Sequence, residues 1–253
     1  YKGKTILTDP IFSDRASPVS FSGPKRYVKH PMDYQQLPQI DVVVISHNHY
    51  DHLDSETIQQ LAELTHFVVP LKIGEWLVEQ GVKPQNITEL DWWKSTEINS
   101  IKLEALPSQH WSARGLTDRF ASLWASWSIT IDGFVIWFAG DTGYNSVQFK
   151  QIGAHLGTVD LALIPIGAYA PRWFMQWFHV NPQEAVNIHR DVHSKKSIGM
   201  HWGTFPLTAE PPMEPPQILA EVLSTEGLSS DEFVTLKIGQ TLTLNIDKLS
   251  LGE

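Results

Sequence analysis

The sequence contains no cysteine, so it can form neither disulfide bonds nor thiolate metal ligands. No apolar stretch approaches the roughly 20 residues that a helix needs to cross a bilayer. The sequence also lacks an excess of positive charge. Asp and Glu outnumber Lys and Arg and leave a formal net charge of −9. Since a nucleic-acid-binding protein is expected to carry a basic surface, this balance argues against nucleic acid as a partner.

Tryptophan, by contrast, is abundant. Ten Trp residues occur in 253, and several stand close together, at 92–93, at 124 and 127, and at 173 and 177. They belong either to the core or to an apolar pocket or membrane-facing rim, because indole joins a large apolar body to one polar group. A short basic run at 23–30 could meet a phosphate or a lipid headgroup, or it is a solvated loop.

The sequence begins at Tyr1 rather than Met, and residues 2–9 look like the end of a β-hairpin. We therefore expect the native N-terminus, with any signal peptide or anchor, to lie upstream. A cytoplasmic or peripheral-membrane location is the expectation, and a periplasmic location is the alternative.

Short apolar runs alternate with helical patterns along the chain. Strands are predicted over 41–46, 66–70, 101–106, 123–131, 134–139, 160–164, 197–201, 233–238 and 241–245. Helices are predicted over 54–65, 73–80, 145–156, 181–191 and 216–224. Asp132-Gly133 is the strongest turn signal and predicts a hairpin. With no linker-like stretch, the pattern predicts one α/β domain over residues 1–253.

A dense group of metal-ligand side chains, His47-Asn48-His49-Tyr50-Asp51-His52, follows the predicted buried strand 41–46. Residues two apart on an extended chain point the same way, so His47 and His49 can hold one metal together. Asp51 and His52 precede the next helix and can face a second metal. The alternative is a solvated polar loop, but burying four such donors without a partner would be costly.

Three further candidate ligands each follow a predicted strand: His110, Asp141 and His201. Asp141 stands between Gly140 and Gly143, and glycine permits a close backbone approach. A lone His or Asp is usually structural or exposed. The recurrence of these three candidate ligands at strand ends favours a shared metal site.

The order of these residues resembles the metallo-β-lactamase superfamily. Longer segments look closer to its N-acylphosphatidylethanolamine-hydrolysing phospholipase D branch: TDPIFSDRASP from Thr8, GPKR from Gly23, ISHNHYDHLD from Ile45, ELDWW from Glu89, PSQHW from Pro107, LWASWS from Leu123, FAGDTGY from Phe138, IPIGAYAPRWFM from Ile164 and HWGTF from His201. The metal motif identifies only the superfamily, and the Trp-containing segments indicate the branch. The resemblance implies an αββα sandwich whose first strands are missing from this chain.

The resemblance also implies two zinc ions per chain. One would be held by His47, His49 and His110, the other by Asp51, His52 and His201, and Asp141 would bridge them. A His and Asp ligand set suits zinc. It differs from that of the oxygen-reducing di-iron relatives, in which a carboxylate replaces His49.

The implied activity is hydrolysis of N-acylphosphatidylethanolamine-type phospholipids to phosphatidic acid and an N-acylethanolamine, by attack of a metal-bridging hydroxide. Asp141 would position that hydroxide, and Asp51 would orient it or relay a proton. His179 would contact the phosphate or protonate the leaving group, although Phe178 stands where a polar residue is expected. The alternative for His179 is a capping or packing role before the helix at Asn181.

Other functions remain open because a fold does not dictate a substrate. A lactonase or another ester-cleaving enzyme of the superfamily is the second hypothesis, and a non-catalytic metal-binding sensor is the third. The expected partner is a phospholipid or other small phosphodiester, with peripheral membrane contact, and the oligomeric state is left open. Aromatic residues within 173–178 are hypothesised to form an acyl-chain channel.

Overall fold

Two β-sheets pack face to face in the computed structural model, which describes residues 1–245. The strands are β1 (Ile6–Thr8), β2 (Val42–Val44), β3 (His66–Pro70), β4 (Ile87–Leu90), β5 (Lys94–Ile98), β6 (Ile101–Leu106), β7 (Ser126–Ile131), β8 (Phe134–Phe138), β9 (Leu161–Pro165), β10 (Ser197–Met200) and β11 (Phe233–Thr235). The α-helices are α1 (Ser55–Leu61), α2 (Gly74–Glu79), α3 (Gln148–Leu156), α4 (Arg172–Met175), α5 (Pro182–Asp191) and α6 (Glu214–Glu226).

The first sheet has the order β1-β2-β3-β4, and its neighbouring strands are parallel. Strand β2 is buried on both faces, which explains its unbroken run of valines. Successive side chains alternate between the faces. Val43 packs in the apolar layer that contains residues of α1 and α2, and Val42 and Val44 pack in the layer between the sheets.

The second sheet has seven strands in the order β11-β10-β9-β8-β7-β6-β5. Strands β8 to β11 are parallel, and β5 to β8 are antiparallel. Helices α3, α5 and α6 pack on its outer face through residues such as Phe149 and Leu219. The layers are therefore helix, sheet, sheet and helix, and the predicted αββα sandwich is confirmed.

Buried tryptophans link these layers. Trp127 is fully buried between the sheets, and its Nε1 donates to the carbonyl of Ile45 at 2.9 Å. Trp137 is fully buried beside α3. The core interpretation therefore holds for these two residues, whereas Trp173 and Trp177 are 75% and 62% exposed and the membrane-facing rim stays a prediction.

Several predicted elements need correction. Strand β1 pairs in parallel with β2, a contact that was not predicted, and the expectation that residues 2–9 end a β-hairpin stays a prediction. The predicted strand 241–245 is irregular, and the strand predicted over 233–238 ends at Thr235. Strands β4 and β5 and helix α4 were not predicted. Helices α1 and α3 are shorter than predicted, and α6 is slightly longer.

The apolar layer between the sheets joins the two halves of the described chain, and the single-domain assignment of residues 1–253 stays a prediction. Within residues 1–245, no helix is both long and apolar enough to cross a membrane.

Candidate metal centre

The loop after β2 carries four of the candidate ligands. Leu53 is fully buried at its end, and its backbone N–H donates to the carbonyl of His49 at 2.8 Å. Asp54 then caps α1, because its carboxylate accepts from the backbone N–H of Thr57 at 3.1 Å. The buried leucine and the cap fix both the turn and the start of the helix, and so direct Asp51 and His52 toward the strand ends.

Three imidazoles form a first donor group. Nδ1 of His49 lies 2.9 Å from Nε2 of His47 and 3.2 Å from Nε2 of His110. Nδ1 of His110 donates to the carbonyl of Phe178 at 2.9 Å, which leaves the lone pair of its Nε2 directed into the group.

A second donor group lies beside the first and contains Asp51, His52 and His201. Nε2 of His52 lies 3.2 Å from Nε2 of His201 and 3.3 Å from Oδ2 of Asp51. Nε2 of His201 lies 3.2 Å from the same Asp51 oxygen. His201 immediately follows β10 and has a φ of 59°, so the chain turns sharply at this strand end.

Asp141 lies between the two groups. Its Oδ2 is 3.2 Å from Nε2 of His52 and 3.8 Å from Nε2 of His110, and its Oδ1 is 3.3 Å from Nε2 of His201. Gly140 has a φ of 59°, and a Cβ there would lie 2.6 Å from Cβ of Ser46. Glycine at 140 thus lets the carboxylate of Asp141 come close to the loop.

Asp9 supports the site and was missed in the sequence analysis. Its Oδ2 lies 2.6 Å from Nδ1 of His52, and its Oδ1 accepts from the backbone N–H of Ser46 at 2.7 Å. Ser46 Oγ in turn lies 2.9 Å from Nδ1 of His47. Asp9 immediately follows β1 with a φ of 42°, so its position at a strand end was the signal that could have found it.

Burial and close charges strongly perturb these side chains. Burial lowers the pKa of His47 and His110 well below the ordinary value. Burial alone would raise the pKa of Asp141, but the charges of His201 and His52 outweigh it and hold that pKa well below its usual range. Burial would lower the pKa of His52, but Asp141 and Asp51 outweigh it and raise that pKa. Clusters of side chains with strongly shifted pKa values are typical of functional sites.

The donor set fits divalent cations. In each group, every residue has one nitrogen or oxygen that lies within 4.8 Å of the corresponding atoms of the other members. Asp141 belongs to the second group. Within residues 1–245, Oδ1 of Asp141 and Nδ1 of His201 are buried without a hydrogen-bond partner. Imidazole lone pairs that face one another repel unless a proton or cation lies between them. Buried carboxylates and imidazoles without cysteine suit zinc and similar ions.

A family model described as "Beta-lactamase superfamily domain" matches residues 4–202. N-acyl-phosphatidylethanolamine-hydrolyzing phospholipase D 1 of Caenorhabditis elegans is 43% identical over 251 residues, which cover 94% of this chain and 70% of the worm protein. The chain belongs to the metallo-β-lactamase superfamily, in the N-acylphosphatidylethanolamine-hydrolysing phospholipase D branch.

A second member of this branch, the mitochondrial enzyme of the same name from Saccharomyces cerevisiae, is 37% identical over 95% of this chain. The chain spans only 52% of that relative's length. Among solved structures, the metallo-hydrolase Igni18 of Ignicoccus hospitalis has a TM-score of 0.70 at 20% identity, covering 97% of this chain and 92% of its own. That likeness confirms the superfamily's fold.

His179 also lies beside the two donor groups. Its Nδ1 is 3.8 Å from Oδ2 of Asp141 and is buried without a hydrogen-bond partner in the described part of the chain. Burial lowers the pKa of His179 to about 4. The cap of α5 is Asn181, whose side chain accepts from the backbone N–H of Glu184, so His179 does not cap this helix, and its packing role stays an open alternative.

Two cavities open on the donor groups. One of about 580 Å³ reaches Asp51, His52 and His201 and is lined mainly by apolar side chains, most of them from residues 6–12, 27–37 and 202–215. The other, of about 400 Å³, lies on the side of His49 and His179. Neither is lined by the aromatic side chains of residues 173–178, so these two cavities do not support an acyl channel there, and that hypothesis stays a prediction.

Proposed function

We propose that this chain is a dinuclear zinc hydrolase that cleaves N-acylphosphatidylethanolamine-type phospholipids. The observation that carries the proposal is the position of Asp141, whose carboxylate lies within 4 Å of donor nitrogens from both ligand groups. The proposed ligands are His47, His49 and His110 for one ion and Asp51, His52 and His201 for the other, with Asp141 between them. The activity that the worm relative's name states supports the substrate class.

The proposed reaction is hydrolysis of a phosphodiester. Water adds to phosphorus, the bond from phosphorus to the ethanolamine oxygen breaks, and phosphatidic acid and an N-acylethanolamine are released. Zinc ions, when bound, lower the pKa of water and neutralise charge on the phosphoryl oxygens. Asp51 and Asp141 hold their charge in the buried site, so either can accept a hydrogen bond from the attacking water and orient it.

His179 is proposed to bind a phosphoryl oxygen. Its pKa of about 4 leaves the imidazole neutral at pH 7, which favours hydrogen-bond donation to phosphate over protonation of the leaving group. Arg172 fixes the backbone beside it, because Nη1 donates to the carbonyl of His179 at 2.8 Å. A donor held in place in this way stabilises charge that develops on the phosphoryl group.

The larger cavity favours a lipid substrate over a small lactone. It joins apolar side chains such as Leu7 and Phe205 to the second ligand group at Asp51 and His201. An acyl chain could therefore lie in the cavity while the phosphodiester lies at the donor groups. Burying apolar chain surface contributes about 25 cal/mol per Å², a gain that a short lactone lacks.

Product analysis separates the candidate functions. The purified protein is incubated with N-acylphosphatidylethanolamine and, in parallel, with simple lactones, and the products are identified by mass spectrometry. Phosphatidic acid with N-acylethanolamine is the expected result. Lactone opening alone would support the second hypothesis, and no turnover by a metal-loaded protein would support a sensor.

Peripheral membrane contact is proposed for helix α4 and the turn after it. Trp173, Phe174 and Trp177 are 75%, 59% and 62% exposed, and tryptophan suits the interface between lipid and water. Co-sedimentation with phospholipid vesicles is expected for the wild type. It should weaken when Trp173 and Phe174 are replaced by Gln, and unchanged sedimentation would contradict this contact.

A further inference from the structure

Two chain segments that carry candidate ligands meet at one arginine. The first is the loop 47–53 after β2, and the second follows His110. Arg114 belongs to the second segment, and its Nη1 donates to the carbonyl of Asn48 at 2.8 Å and to the carbonyl of Leu53 at 2.6 Å. These carbonyls stand near the two ends of the first segment. One nitrogen with two hydrogens therefore spans the loop that bears His49, Asp51 and His52.

Aromatic rings hold this guanidinium in place. Its central carbon lies 4.2 Å from the ring centroid of Tyr50 and 4.5 Å from the ring centroid of Trp76, which belongs to α2. Stacking on an aromatic face orients a planar guanidinium, whereas the ammonium of lysine is a point charge without a plane. The orientation of the donors of Arg114 is thus set before any ligand binds.

Further contacts fix the backbone of Arg114 itself. Tyr50 Oη donates to the carbonyl of Arg114 at 2.6 Å, so the two segments are joined in both directions. Asp118 accepts from the backbone N–H groups of Arg114 and Gly115, at 2.9 and 2.7 Å. The turn that carries the arginine is therefore as constrained as its side chain.

We propose that Arg114 is a positioning residue that holds loop 47–53 and the segment after His110 in the geometry that binds metal. The inference rests on the proposed metal centre and adds that the loop is preorganised by this contact. Groups that fix metal ligands from outside the coordination sphere typically change metal affinity by about 10–100-fold when they are removed. Without the hydrogen bonds from Arg114, loop 47–53 could shift. His49 and Asp51 would then move away from His110 and His201.

The test compares four proteins: the wild type, Arg114→Met, Arg114→Lys and Arg119→Met. Methionine keeps apolar bulk between the rings and removes the donors, and lysine keeps charge without the planar group. Arg119 is the matched control, because it lies in the same segment but stacks on Trp111 and Phe120. Zinc affinity is measured by competition with a chromophoric chelator, and the visible absorption of the Co²⁺-loaded proteins reports ligand geometry.

Arg114→Met should bind zinc roughly 10–100-fold more weakly and shift the Co²⁺ absorption, with Arg114→Lys between it and the wild type. Arg119→Met should match the wild type within about twofold, because methionine keeps apolar bulk against Trp111 and Arg119, unlike Arg114, donates no hydrogen bond to loop 47–53 among the described residues. Near-UV circular dichroism of the metal-free proteins checks that each variant is folded. If Arg114→Met does not fold, Arg114→Lys and Tyr50→Phe, which loses the hydroxyl bond to Arg114, provide the comparison.

Wild-type zinc affinity and an unchanged Co²⁺ spectrum in the folded Arg114 variants would overturn the inference, and so would an equal loss in Arg119→Met. Under either result the proposed metal centre would stand. A wild type that binds no zinc would instead contradict the metal centre, and the positioning role with it.

Discussion

The carboxylate of Asp9 lies 2.6 Å from Nδ1 of His52, although 42 residues separate them. The parallel pairing of β1 with β2 creates this contact, because it brings the ends of both strands to one edge of the first sheet. Asp9 also accepts from Ser46, whose hydroxyl approaches Nδ1 of His47. One carboxylate therefore orients an imidazole from each ligand group.

Asp9→Asn should weaken metal binding by roughly 10–100-fold, because an amide in place of the carboxylate removes the charge that His52 and Ser46 share. Zinc retained after dialysis against a chelator, measured by plasma mass spectrometry, checks this. Asp14→Asn is the matched control, since Asp14 is exposed in the same segment. Equal zinc retention in both variants would show that Asp9 does not orient the ligands.

His179→Gln should separate catalysis from metal binding. We expect zinc content to stay at the wild-type level, while phosphodiesterase kcat falls by about 100-fold or more as a donor to the phosphoryl group is lost. His155→Gln is the control, because that side chain pairs with Glu104 away from the ligand groups. If His179→Gln lost its zinc, the side chain would belong to the metal centre and not to substrate binding.

Much of the fold could be predicted from local patterns. Strand β3 has the predicted bounds because its apolar run 67–69 is buried on both faces, and β6 because Ile101, Leu103 and Ala105 alternate with polar residues. Strand β5 was missed because Lys94–Ile98 is a half-exposed edge strand without such a run. The pairing of β1 with β2 was not predicted because β2 lies far along the chain, and parallel pairing leaves no local turn signal.

The seven candidate ligands could be found from the sequence because they repeat at strand ends, and the structure brings them together. Arg114 could not be found in this way, and Asp9 could have been found only if β1 had been predicted as a strand. An Asp before Pro resembles a turn residue, and an Arg in a loop resembles a solvated charge. Their contacts depend on how the two sheets and the loops pack together, which residue type and spacing do not encode.

Metal uptake should release protons. In the metal-free protein the carboxylates outweigh the effect of burial and raise the pKa of His52 and of His201, so both imidazoles bind a proton more readily than an exposed histidine does. A protonated imidazole cannot bind zinc, so zinc binding should displace protons, and zinc affinity should rise as the pH rises through the raised pKa values.

Calorimetric titrations of zinc in two buffers of different ionisation enthalpy measure the proton release directly. Identical heats in both buffers, together with an affinity independent of pH, would contradict the protonated state of the two histidines.

The two cavities lead to a specific expectation for chain length. Leu207 lines both of them, so Leu207→Gln should raise KM for long-chain substrates by up to roughly tenfold and leave short-chain substrates nearly unchanged. Trp173→Gln alters an exposed side chain and should leave the ratio of long-chain to short-chain KM unchanged when substrate is presented in detergent. If Trp173→Gln changed this ratio and Leu207→Gln did not, the acyl chain would be assigned to the aromatic segment 173–178 instead.

The most direct test is the metal content of the purified protein, measured together with its phosphodiesterase activity before and after chelation. The account predicts about two zinc ions per chain, activity that disappears when they are removed, and activity that returns when zinc is restored. One bound ion per chain or none, or hydrolysis that survives complete metal removal, would contradict it.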